Sequence, residues 1–253
     1  MKDLILFDVD GTLTNPRIKI ERSMIDVLIQ LSKVKNLDIG IVGGSDIGKQ
    51  KEQIGCDNLK LFDWIFSENG LMAFHKNQQF HCENITNKLG EESFTELINI
   101  CLSCLSDIDN PIKRGNFIET RNGMINISPI GRSCSQKERE AFNKQDDKYK
   151  YRERLIKQIK RRWDNYLYIN EGCDTKLNFS IGGQISIDIF PEGWDKTYCL
   201  QFVEKKYNKI YFFGDKTSLG GNDYEIFNNS RTESLTVKNP EETINYLKDM
   251  FEI

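Results

Sequence analysis

The stretch "LILFDVDGTLT", Leu4 to Thr14, constrains this chain more than any other. Leu4-Ile5-Leu6-Phe7 is an unbroken apolar run, the pattern of a strand buried on both faces of a parallel sheet. It passes at once into Asp8, Val9, Asp10 and Gly11. A carboxylate at the end of a buried strand is costly unless it is paired or coordinated. Two of them one residue apart, followed by a glycine turn, therefore point to a site. In open α/β sheets, ligands bind in the crevice at the carboxyl ends of the strands.

The following residues keep the same grammar. "LDIGIVGG" (37–44) reads as a second buried strand ending in glycines, and "WIFSENG" (64–70) as a third. Helical spacing separates them: Met24, Ile25, Leu28, Ile29 and Leu31 share one face of 21–34, and 47–54 forms another helix. "LMAF" and "QFHC" make a hairpin. This βαβαβ order implies a parallel sheet with helices on both faces. From about residue 83 the pattern changes. A helix over 89–105 precedes a hairpin turning at Asn122-Gly123, then one long charged helix over 135–166, then the strands "KLNFSIGG" and "QISIDIF". From Trp194 the first grammar returns, with a helix over 196–206, the strand "KIYFFGD", the short strand "SLTVK" and a closing helix from Glu241. The expected fold is α/β: a parallel-sheet core formed by 1–82 and 188–253, interrupted by an inserted α+β domain over 83–187.

Composition narrows the function. A formal net charge of -3 over 253 residues argues against a general nucleic-acid binder, and no apolar run approaches the ~18 residues of a membrane span. Seven scattered cysteines suit a reduced, cytoplasmic protein. Cys101 and Cys104 lie in a helical pattern and read as two small apolar residues. With only His75 and His81 in the chain, a serine–histidine triad or a multi-histidine zinc site is not expected.

Polar clusters fall at successive strand ends: Asp8 and Asp10 after the first strand, Ser45 and Asp46 after the second, and Asp215 after "YFFG", with Asp223 close behind. Lys196 opens the helix after the inserted domain. Singly, each is a common cap or turn residue; together they suit phosphoryl transfer. Asp8, Asp10 and Asp215 would repel one another without a cation, and hard oxygen ligands favour Mg²⁺. Lys196 and the Ser45 hydroxyl are placed to hold phosphate oxygens. Asp8 is the candidate nucleophile, and Asp10 the candidate acid/base.

These motifs, "DVDGT", "GGSD", Lys196 and "GDKTSLGGND", resemble those of the haloacid-dehalogenase-like phosphotransferases. Longer stretches, among them "KRGNFIETRNGMINISPIGRSCSQKER" and "FSIGGQISIDIFPEGWDKTYCL", resemble the eukaryotic-type phosphomannomutase family over nearly the whole chain. The resemblance implies a haloacid-dehalogenase-like core with a cap that confers specificity and pairs two copies into a homodimer. It implies Mg²⁺ held by Asp8, the main chain of Asp10, and Asp215, with Asp223 alongside. It assigns Arg17 to the sugar phosphate, Arg121, Arg132 and Arg139 to the distal phosphate, and Ser186 and Asp188 to the hexose. In "QISIDIF", strand alternation itself sets Ser186 and Asp188 on the face opposite Ile185, Ile187 and Ile189. The family's second cation site would fall at Phe227, Asn229 and Thr232, where Asn229 supplies a neutral oxygen in place of the carboxylate. The implied reaction interconverts mannose 1-phosphate and mannose 6-phosphate, and the glucose phosphates too, through a phosphoaspartate primed by a hexose 1,6-bisphosphate, and feeds GDP-mannose synthesis. A sugar phosphatase of the same superfamily uses the same aspartates. A non-catalytic sugar-phosphate-binding module would be expected to lack one of the carboxylates, and none is missing.

Overall fold

The computed structural model describes residues 2–109, 112–170 and 174–253. The elements run β1 (Asp3–Phe7), α1 (Arg22–Leu31), β2 (Leu37–Val42), α2 (Ile47–Ile54), β3 (Trp64–Ser67), β4 (Met72–His75), β5 (Gln78–Cys82), α3 (Ile85–Leu89), α4 (Glu91–Asp107), β6 (Ile118–Thr120), β7 (Ile125–Ile127), α5 (Gln136–Tyr149) and α6 (Tyr151–Ile169). Then follow β8 (Leu177–Gly182), β9 (Ser186–Pro191), a 3₁₀ segment (Lys196–Phe202), β10 (Ile210–Gly214), α7 (Tyr224–Phe227), β11 (Glu233–Thr236) and α8 (Pro240–Phe251). They form two compact units, one of Met1–Cys82 with Gly193–Ile253 and one of Glu83–Glu192.

The first unit is built on a seven-stranded sheet in the order β11-β10-β1-β2-β3-β4-β5. Pairings from β11 to β3 are parallel, while β3, β4 and β5 are antiparallel. The apolar run of β1 divides between the two faces. Ile5 and Phe7 join the cluster that includes α1, α2 and α8, and Leu4 and Leu6 join the one formed with Phe66, Leu200 and Phe212. Both faces are thus covered, which is why the strand sequence is continuously rather than alternately hydrophobic. Fully burying each such side chain contributes about 1.5–3 kcal/mol. The chain leaves β1 toward β2 on one side and later adds β10 on the other. The sheet therefore reverses its order at β1, and the crevice outside its carboxyl end is the place for a ligand.

The second unit carries a four-stranded antiparallel sheet in the order β6-β7-β9-β8. The β6–β7 turn closes by Arg121 N–H donating to the Met124 carbonyl at 2.8 Å, with Asn122 and Gly123 at its centre. Ile125, Ile127, Ile185, Ile187 and Ile189 are buried, and α6 packs on β8 and β9, with α4 against α6.

Three details differ from the sequence expectation. The single long helix expected over 135–166 is two. Lys150 takes a left-handed conformation (φ 54°) between α5 and α6. There the Asp146 carboxylate accepts from Arg152 N (2.9 Å) and Arg152 Nε (2.7 Å). A buried ion pair so placed supplies a partner for an N–H that a new helix start leaves open. The segment opened by Lys196 is 3₁₀ and ends at Phe202. The boundary expected at 187/188 would cut β9, which pairs with both β7 and β8; the second unit runs on to Glu192.

Candidate active site

The loop after β1 is set by its own backbone. Asp8 N–H donates to the Phe213 carbonyl at 2.8 Å, while the N–H groups of Leu13 and Thr14 both reach the Val9 carbonyl at 3.0 Å. Gly11 sits at φ +82°, and a Cβ there would collide with the Asp215 carboxylate. Glycine therefore allows both the turn and the close approach of Asp215.

Asp8, Asp215 and Asp223 each place a carboxylate oxygen within 4.8 Å of the others. Lys196, its side chain fully buried, donates from Nζ to Asp8 Oδ1 and to Asp223 Oδ1. Asp223 Oδ2 accepts from Lys216 N at 3.0 Å. Burial pushes the Asp8 carboxyl up to about 6, against the pull of the Lys196 ammonium and with the help of the Asp223 charge. Burial alone would lower Lys196; the Asp8 and Asp223 carboxylates overcome it and hold the ammonium above its ordinary value. Asp215 is also raised, chiefly by burial, with the Lys216 ammonium opposing.

Three carboxylates and one ammonium leave a deficit of two positive charges. Among the described residues, two buried side-chain polar atoms lack a partner, Thr12 Oγ1 and Asp215 Oδ1. An orphaned carboxylate oxygen inside a hard-oxygen cluster of that charge is what a divalent cation such as Mg²⁺ would satisfy. The residues present fit the ion.

Asp10 stands apart from this cluster. Its Oδ1 accepts from Arg17 N and from Gln53 Nε2, both at 2.8 Å. Its side chain is therefore held apart from the clustered carboxylates Asp8, Asp215 and Asp223, whereas the sequence pattern places it with Asp8 and Asp215. Two cavities adjoin it. The smaller, about 120 Å³, is lined by Asp8, Asp10, Ser45 and Lys216 among others. The larger, about 300 Å³, is lined by Asp10, Arg17, Lys19, Ser45, Lys49 and Gln53, with Glu52. Both share Ser45, whose carbonyl accepts from Glu68 N at 3.0 Å while Asn69 N donates to the Gly43 carbonyl at 2.9 Å. The "SENG" turn thereby holds the "GGS" turn from behind. Asp46 caps α2 through Lys49 N (2.9 Å). The backbone ahead of Lys196 is pinned by Asn69 Nδ2 donating to the Trp194 carbonyl at 3.1 Å.

The remaining candidates lie in the second unit, except the second cation group. Glu119, Asn126, Asp188 and Ser180 are cross-strand neighbours in one row across β6, β7, β9 and β8. Glu119 bridges two arginines, accepting from Arg121 Nε (2.9 Å) and Arg132 Nε (2.7 Å). The hydrogen bond from Arg121 holds the Glu119 carboxyl below its usual range despite opposing burial. Arg132 also donates to Asn126 Oδ1, and Asn126 Nδ2 donates to Asp188 Oδ1 at 2.6 Å. Arg139 Nη2 reaches the Arg132 carbonyl at 2.7 Å. The three arginines and Asp188 thus form one connected group, while Ser186 is buried beside it on the same strand.

In the first unit, Asn229 Oδ1 accepts from Arg231 N at 2.9 Å, and Thr232 Oγ1 donates to the carbonyls of Ile226 (2.6 Å) and Asn229 (3.0 Å). Those oxygens, next to Phe227, are engaged within their own loop.

Sequence reasoning missed Gln53, Gln50 and Glu119. Gln50 accepts from Ser67 Oγ at 2.7 Å and donates to the Phe66 carbonyl at 3.2 Å. A glutamine in a helix reads as surface; the available signal was that Gln50 and Gln53 are three apart and so share one helix face.

A sequence model described as eukaryotic phosphomannomutase matches residues 24–253. A phosphomannomutase of Galdieria sulphuraria is 49% identical over 99% of this chain and 95% of its own length. One from Schizosaccharomyces pombe is 48% identical over 100% of this chain and 95% of its own. Among solved structures, a trehalose-6-phosphate phosphatase of Aspergillus fumigatus superposes with a TM-score of 0.65 at 13% identity, covering 100% of this chain and 93% of that one. An IMP-nucleotidase of Plasmodium falciparum gives 0.63 at 18% identity, covering 99% and 62%. Likeness at that identity speaks for the fold alone, and it agrees with the α/β core and α+β insert read from the sequence. The family model spans Asp215, Asp223, Lys196 and the arginine group, and the Galdieria relative matches over nearly the whole chain; the chain belongs to the eukaryotic phosphomannomutase family.

Proposed function

We propose that this protein is a phosphomannomutase that moves a phosphoryl group between O1 and O6 of mannose, and of glucose, by way of phospho-Asp8. The observation that carries the reading is the division of labour among the aspartates. Asp8 is buried against Lys196, whereas Asp10, two residues on, is held separately by Arg17 N and Gln53. Asp8 forms the bond to phosphorus as the sugar oxygen leaves, and Asp10 protonates that oxygen. In the reverse half, Asp10 accepts the proton of the attacking hydroxyl and the bond to Asp8 breaks. Lys196 keeps Asp8 ionised, and Ser45 and Lys216 face the cavity in which the transferring oxygens would sit.

Mg²⁺ bound by Asp8, Asp215 and the main chain of Asp10, with Asp223 beside them, would supply charge neutralisation and polarise the phosphate. The second unit acts as the cap: its Arg121, Arg132 and Arg139 take the phosphate that is not reacting, and its Ser186 and Asp188 take the sugar, while Arg17 contacts the sugar phosphate. A mutase must hold two phosphates, and a guanidinium fork matches each. A hexose 1,6-bisphosphate primes the enzyme and is the intermediate that turns round. The protein works as a homodimer paired through its cap, in the cytoplasm, upstream of GDP-mannose. Among the described residues, the exposed thiols of Cys56 and Cys82 suit a reducing compartment.

The test is mannose 1-phosphate with a trace of glucose 1,6-bisphosphate and Mg²⁺. The expected product is mannose 6-phosphate, lost in Asp8→Asn. Release of free phosphate without mannose 6-phosphate would instead establish the phosphatase of the same superfamily.

A further inference from the structure

We propose that Gln53 positions the acid/base Asp10 so that Oδ2, not Oδ1, carries the transferred proton; this rests on the reading of Asp10 given above. Gln53 closes the last turn of α2 and is only 8% exposed. Its Nε2 donates to Asp10 Oδ1 at 2.8 Å and lies 3.4 Å from Thr14 Oγ1. The same Oδ1 accepts the Arg17 N–H at 2.8 Å, and Arg17 takes a left-handed backbone conformation (φ 63°) that non-glycine residues seldom adopt. The Gln53 carbonyl accepts from Ile20 N at 2.8 Å. One residue of α2 thus fixes both the carboxylate and the loop that carries Arg17.

An oxygen that receives two N–H donors has no room for a proton of its own. When Asp10 is protonated, the hydrogen therefore sits on Oδ2, and the two bonds to Oδ1 hold the plane of the carboxyl. As the Asp8–phosphorus bond forms and the phosphorus–sugar oxygen bond breaks, Oδ2–H passes its proton to the departing oxygen, and Asp10 is left as the carboxylate. Without the Gln53 donor, Oδ1 keeps one partner and the carboxyl can rotate away. Gln53 acts on the proton through Asp10, whose Oδ1 it holds.

Gln53→Met keeps the length of the side chain and removes the donor, while the main-chain bond to Ile20 stays. The loss should depend on the leaving group. With mannose 1-phosphate, a poor leaving group, kcat should fall about 10- to 100-fold, part of what a proton-transfer group contributes, with KM within about threefold. Phosphorylation of Asp8 by an aryl phosphate with a good leaving group needs little proton assistance and should stay within about threefold. Gln53→Leu, which also lacks the donor, should repeat the pattern, so a folding defect of one variant leaves the other to decide. Asp10→Asn should show the same leaving-group dependence, and adding Gln53→Met to it should cost nothing more. Equal loss on both donors, full additivity, or no loss would overturn the role of Gln53 while Asp10→Asn still behaved as an acid/base variant. If Asp10→Asn itself lost both donors equally, the assignment of Asp10 would fall and this inference with it.

Discussion

Replacing Lys196 with methionine removes one buried charge and leaves two. In the folded protein Nζ serves both Asp8 and Asp223, which are 4% and 0% exposed. Breaking a buried pair by deleting one partner costs about 3–5 kcal/mol, because the survivor stays buried without a counter-charge. For a chain of this size each kcal/mol is worth about 2–4 °C, so the melting temperature at pH 8 without divalent cations should fall on the order of 10 °C.

The sign of the pH dependence follows from Asp8. Its folded value, about 6, lies above the ordinary 3.8. The contribution of Asp8 to stability is therefore fully present below pH 3.8 and is lost as the pH rises through about 6. Lys196 pulls that value down, so in Lys196→Met the loss window moves to higher pH. At pH 5 the variant's Asp8 is protonated and no longer needs the ammonium. The gap between wild type and variant should then be clearly smaller at pH 5 than at pH 8. Melting curves by circular dichroism at the two pH values measure it. A gap that is the same at both, or below about 1 °C at pH 8, would refute the claim that Lys196 neutralises a buried carboxylate.

Saturating Mg²⁺ should raise the wild-type melting temperature, with about 2.7 kcal/mol gained at 100 times the dissociation constant. Asp215→Asn should lose most of that gain in the same titration. Gly11→Ala should cost at least the ~1 kcal/mol of placing a side chain at positive φ and should displace Asp215, so Mg²⁺ affinity measured by calorimetry should fall with stability. Arg132→Ala and Arg139→Ala should each lower kcat/KM for mannose 1-phosphate and mannose 6-phosphate by about one to two powers of ten, since a charge-assisted hydrogen bond is worth roughly 1.5–3 kcal/mol. Hydrolysis of a small aryl phosphate has no second phosphate to hold and should be spared; equal loss on both would speak against a distal-phosphate role.

The sequence by itself determined the features that arise from neighbours along the chain. A four-residue apolar run is a buried strand wherever it lies in a parallel sheet, and the residues after it sit at the sheet's carboxyl edge. Asp8, Asp10, Ser45 and Asp215 could therefore be assigned to one crevice from local pattern alone. Strand alternation likewise separates Asp188 from Ile187 and Ile189.

The tertiary structure decided which of those groups face one another. Lys196 is 188 residues from Asp8, and no spacing rule links them; the 3₁₀ segment beside the sheet brings the ammonium between Asp8 and Asp223. Asp10 is separated from the carboxylate cluster by two donors, one of them on α2, 43 positions away. The break at Lys150 was illegible because charged residues continue through it on both sides. It is stabilised by the buried Asp146–Arg152 pair, and Arg152 in turn donates to the Gly183 carbonyl at 2.9 Å, 31 residues on. Local propensity determines where a strand or a turn forms. Which buried charges meet depends on long-range packing, since a buried charge is tolerated only where the fold delivers its partner.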